Sequence, residues 1–116
     1  MKGEDIRQLC LAQPGATENV QWGEDLVFKV GGKMFLCMNA NLKEKYSFKV
    51  PQERFLELTD QPGVVPAPYL ARAHWVQIDP AACKLADPAL ADLIVGSYRL
   101  VFGKLTKKLQ KEISGS

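Results

Sequence analysis

The sequence predicts an α+β sandwich, an antiparallel sheet of about five strands with helices packed on one face. Three observations carry this reading. In DLVFKVGGKMFLCM (25–38) two apolar runs meet at a glycine pair, the mark of a tight β-hairpin. YSFKV (46–50) and HWVQID (74–79) alternate with period two, as half-buried strands do. Residues 4–13 and 87–103 instead place apolar side chains three and four apart, the helical spacing.

Taken in order, the first helix covers residues 4–13, with Ile6, Leu9 and Cys10 inward and Pro14-Gly15 as its stop. A short strand follows at 19–22, with Val20 and Trp22 on one face. In the hairpin, Gly31-Gly32 suits a primed turn, because both positions tolerate positive φ. A two-residue loop then sets Val30 against Lys33, Phe28 against Phe35 and Leu26 against Cys37. Directly opposed residues share a face. The core face is therefore Leu26, Phe28, Val30, Phe35 and Cys37, and Val27, Lys29, Met34, Leu36 and Met38 point the other way.

In the next strand Tyr46, Phe48 and Val50 point inward. Pro51 opens a helix at a position where its missing N–H is harmless. That helix buries Phe55 and Leu58 and ends near Pro62-Gly63. PAPYLARAHWV (66–76) reads as a rigid connection in which Tyr69 and Leu70 anchor a helical turn. The strand 74–79 has two possible phases. One turns His74, Val76 and Ile78 inward and Trp75 and Gln77 outward; the opposite phase stays open, since His74 is less apolar than Trp75. Asp87 caps the last long helix, with Pro88 in its first turn. Leu90, Leu93, Ile94, Tyr98 and Val101 form its stripe, and Gly103 ends or kinks it. Residues 104–113 form a basic helical tail.

A chain of 116 residues is the length of one domain, 1–116. The net charge of +2 creates no strong overall field. It is unevenly placed: within 99–112, Arg99, Lys104, Lys107, Lys108 and Lys111 stand against Glu112 alone, a local +4. Three dispersed cysteines without a CxxC pair argue against a disulfide framework and a zinc site. No secretory h-region or membrane span is visible, so the expectation is a cytoplasmic monomer with no membrane, metal or cofactor.

Catalysis needs a constellation, and none is legible. The single histidine, His74, has no GxSxG serine or nucleophilic cysteine beside it. Gly31-Gly32 is explained by the hairpin rather than by a phosphate loop, since no GxxxxGK[ST] or GxGxxG joins a strand to a helix. Two binding features remain. One is the outer sheet face, where Lys29, Lys49, Met34 and outward-facing Trp75 combine cations with an aromatic plane, a pairing suited to phosphates and bases. The other is the basic tail.

LAQPGATENVQWGEDLVFKVGGKMF, SFKVPQERFLELTDQPGVVPAPYLARAHWVQID and SYRLVFGKLTKKL together resemble the MmcQ/YjbR family of small bacterial proteins, over about residues 5–109. The densest parts are the PG…W…DLVFKVGGK hairpin and PAPYLAR-x-x-WV. The resemblance implies a CyaY-like two-layer sandwich and DNA binding of a kind described as a double wing. It implies no catalytic residues. Members often carry proline at the position of Thr106, and lysine or another residue at that of His74. Iron binding of the frataxin kind does not transfer, because the first helix offers only Glu4 and Asp5 as acids. The expected function is thus a non-enzymatic DNA-binding protein using Lys29, Lys33, Lys49, Arg72, Trp75, Lys104, Lys107 and Lys108. The alternative is a binder of a small anionic ligand or peptide in a pocket around Tyr69, Arg72, His74 and Trp75.

Overall fold

The fold is that of a computed structural model, which describes residues 1–42 and 45–115. Helix α1 is Gly3–Leu11. Strands β1 (Thr17–Gln21), β2 (Asp25–Val30), β3 (Lys33–Asn39) and β4 (Tyr46–Lys49) follow. A 3-10 turn, Gln52–Arg54, leads into the short helix α2, Phe55–Thr59. Then come β5 (Val64–Pro66), β6 (Trp75–Ile78), α3 (Asp87–Phe102) and α4 (Lys107–Ser114). The strands form one antiparallel sheet in the order β1-β2-β3-β4-β6-β5. The α+β class is as expected, with a sixth strand, β5, inside a segment read as connection.

Helix α3 lies across β2, β3 and β4, and α1 packs on α3. Between helices and sheet sit Phe28, Phe35, Phe48 and Ile94, all with no exposed surface. Burying a side chain of this size stabilises by about 1.5–3 kcal/mol, so this layer dominates the fold's stability. Arg7 adds a two-pronged tie from α1 to β1, donating to both carboxylate oxygens of Glu18 at 2.8 and 2.6 Å.

Gly31 and Gly32 do form the turn, at φ 58° and 80°, and Val30 does oppose Lys33. Beyond Lys29 and Met34 the register departs from expectation. A β-bulge makes Phe35 an extra residue, so Phe28 opposes Leu36, Val27 opposes Cys37 and Leu26 opposes Met38. Side chains alternate strictly along a strand, so one inserted residue reverses every face beyond it. Phe28 and Phe35 still share the core, ring centroids 6.5 Å apart. Leu36 and Met38, expected outside, join them. Cys37, expected inside opposite Leu26, turns to the open face.

The bulge leaves the carbonyl of Phe35 to be satisfied outside the regular ladder. Ser97, fully buried on α3, donates to it at 2.6 Å and accepts the N–H of Lys49 at 3.0 Å. One hydroxyl thereby joins α3 to both β3 and β4.

Four smaller expectations shift. Trp22 lies not in β1 but in the β1–β2 turn. Asp87 is the first residue of α3 rather than its cap, and its carboxylate accepts from the chain's amino terminus at 2.6 Å. Pro51 precedes a 3-10 turn, and only then does α2 begin. Tyr69 anchors nothing, being fully exposed.

The phase of β6 is resolved: Val76 and Ile78 enter the core, and Trp75 and Gln77 take the opposite face. His74 belongs to neither face. It sits at φ 63° at the end of a 3-10 turn, Ala71–Ala73, with its ring edge-to-face on Phe55 at 5.7 Å.

Candidate functional site

The register aligns a row of side chains across the face turned away from the helices. Asn19, Val27, Cys37, Ser47, Gln77 and Val65 stand opposite one another from β1 to β5. Val27 and Ser47 are buried, so this face is concave rather than flat. Over it lies a cavity of about 950 Å³, within the range of small-molecule sites. Cys37, Ser47 and Gln77 form its floor. Trp22 from the β1–β2 turn and Tyr69 from the loop before β6 both line it.

Among the described residues, the charged groups on the cavity wall are Asp25, Asp79 and Lys45, so acid outweighs base. The Cys37 thiol is pushed up to about 11, by burial first and by the nearby Asp25 carboxylate second. It is therefore protonated at neutral pH, the wrong state for a nucleophile. Cys10, inside the core, is pushed up to about 12 by burial alone. Among the described residues, no three His, Cys, Asp or Glu side chains gather where they could hold a metal ion.

Of the four residues expected to form a ligand pocket, only Tyr69 lines this cavity. Arg72 is exposed on the 3-10 turn and His74 packs on Phe55. Trp75 is on the open face but only 5% exposed, beside a loop whose backbone binds its own: Ala67 donates to the Trp75 carbonyl at 3.0 Å, and Trp75 donates to that of Leu70 at 3.3 Å. That degree of burial leaves almost no ring for stacking. Sequence reading missed Trp22, Asp25, Cys37, Ser47 and Gln77. The one signal for Trp22 was Trp-Gly, where a tight turn usually has Asn-Gly.

The expected cations do converge. Lys29 and Lys33 flank the glycine turn, and Lys49 ends β4 at the same end of the sheet. The Lys49 ammonium donates to the carbonyl of Ala73, next to Arg72. Burial lowers its pKa, and the charge of Lys104 lowers it further. The link from α3 to α4 reaches this end too, since a Cβ on Gly31 would lie 2.7 Å from a Leu105 methyl. Lys107 and Lys108 are exposed in the first turn of α4, which is capped by the Thr106 hydroxyl accepting from Leu109 at 3.2 Å. Cations at a helix N-terminus oppose its dipole. The first turn of α4 contains no acid to offset them.

Comparison with known proteins places this architecture. A protein of Deinococcus radiodurans, DR2400, described as a DUF419 domain, superposes with a TM-score of 0.84 at 29% identity, covering 99% of this chain and 89% of that one. A Pseudomonas syringae protein superposes at 0.70 with 18% identity, over 87% of this chain and 99% of its own, a likeness of fold alone. The uncharacterized protein YbdF of Escherichia coli O157:H7 is 31% identical over 95% of this chain and 92% of its own length. Residues 11–100 match the family model described as YjbR, and the chain belongs to the YjbR family.

Proposed function

We propose that the chain is a non-enzymatic nucleic-acid-binding protein that grips the phosphate backbone with the end of the sheet bearing the glycine turn. The observation that supports this is convergence. Lys29 and Lys33 of the hairpin, Lys49 of β4, Arg72 of the loop, and Lys104, Lys107 and Lys108 of the C-terminal segment come from four separate parts of the chain. The MmcQ/YjbR resemblance, with its double-wing description, agrees with the reading.

Buried Trp75 has no part in this grip. The partner groups are phosphates, so affinity is independent of base sequence and falls steeply with salt. The experiment is a salt-titrated binding assay on duplex DNA. Replacing Lys104, Lys107 and Lys108 with alanine should weaken binding to all sequences alike. It should also flatten the log–log salt slope by about 0.9 for each phosphate no longer neutralised. Absence of wild-type binding at about 50 mM salt, where nonspecific binding is strong, would defeat the proposal.

A further inference from the structure

The cavity on the open face runs from Met34, opposite Lys29, to Asp25 and Asp79 at the other end of the sheet, and none of the cations assigned to the phosphate grip lines it. Two features set it apart from an incidental hollow. Trp22 and Tyr69 are 69% and 103% exposed, yet both line it. Both also hold left-handed backbone, at φ 51° and 66°. For a bulky L-residue that conformation is strained, and neither ring is buried enough to offset the strain by packing.

The second feature is the polarity of the wall. Among the described residues, Asp25 and Asp79 face one cation, Lys45, while Ser47 and Gln77 add neutral polar groups between them. The surplus there is of negative charge. An anionic ligand, the alternative read from the sequence for a pocket around Tyr69, Arg72, His74 and Trp75, would meet more acid than base among the described residues of this wall.

We infer that this cavity binds an extended, planar aromatic cation bearing N–H donors. Its π-face stacks on the exposed rings, where a cation is also attracted by the ring quadrupole. Its donors and charge meet Asp25 and Asp79. Binding is non-covalent, since the floor thiol stays protonated.

The test is a titration of the ¹⁵N-labelled full chain followed by NMR. Proflavine is the cationic probe and acridine-9-carboxylate is the anionic probe on the same ring system. Proflavine should shift the Trp22 indole N–H and the amides of Asp25, Cys37 and Gln77 in a saturable manner, with Kd below about 1 mM. The carboxylate should bind at least about tenfold more weakly. Trp22→Gly and Tyr69→Gly each delete a ring but permit the same backbone, and each should weaken proflavine about fivefold or more. Asp25→Asn with Asp79→Asn should erase the preference for the cation. The inference is overturned by no saturable shift up to about 5 mM proflavine, by equal binding of both probes, or by shifts confined to the basic end. An unchanged spectrum outside the cavity verifies that each variant is folded.

Discussion

Cys10 and Cys37 reach the same chemical state by different routes, Cys10 through the core and Cys37 through partial burial beside Asp25. In both, the folded pKa lies above the ordinary 9.0. The unfolded chain therefore loses these protons first as pH rises. Stability from the two thiols is complete below pH 9.0 and is lost on the way to about 11 for Cys37 and about 12 for Cys10. Each contributes a loss of about 1.4 kcal/mol per pH unit across its window. Lys49 acts in the opposite sense: burial disfavours its charged form, so stability is gained as pH rises towards its ordinary 10.5. Urea midpoints measured from about pH 8 to about pH 10 should fall for the wild type, and the fall should be shallower in Cys10→Ala/Cys37→Ala. Equal slopes would contradict the assignment. Trp22 and Tyr69 permit a second measurement. Glycine relieves left-handed strain but gains unfolded-state entropy, and the two effects are each about 1 kcal/mol. Trp22→Gly and Tyr69→Gly should thus change stability by less than about 1 kcal/mol despite losing an aromatic ring.

At the scale of elements, legibility followed the strength of the pattern. The glycine turn and α3 were readable because a primed turn and a wide apolar stripe each have few alternatives. The bulge at Phe35 was not, since MFLCM (34–38) is apolar throughout and gives no cue to which face each residue takes. Strand β5 was hidden for another reason: it has three residues, ends on Pro66, and forms only by pairing with β6. The cavity was illegible because it depends on that same bulge, which turns Cys37 outward to meet Ser47. Ser97 is the test of this account. Its hydroxyl serves the Phe35 carbonyl and the Lys49 N–H at once. Ser97→Ala should cost about 2–4 kcal/mol, because it strands both backbone groups in a buried place. A calorimetric or urea measurement showing less than about 1 kcal/mol would mean the bulge re-pairs without it.

Across the whole molecule, charge is sorted rather than abundant. Asp25, Asp79 and Asp87 lie towards one end of the sheet, and Lys29, Lys33, Lys49 and Lys104 towards the other. The longest dimension is 40 Å, and fields in about 0.1 M salt fade over roughly 10 Å. Each end therefore acts as its own electrostatic unit, and a net charge of +2 says little about either. Two substitutions with the same effect on net charge separate placement from total. Lys33 is exposed at the glycine turn. Lys84 is also exposed, but it follows Cys83, whose backbone packs against Gly63 at the acidic end. If phosphate is gripped where the cations converge, Lys33→Glu should weaken duplex DNA binding about tenfold and lower the salt slope. Lys84→Glu should change affinity less than about twofold at the same salt. Equal losses would show that the protein responds to its total charge, and the basic end would no longer be an interface.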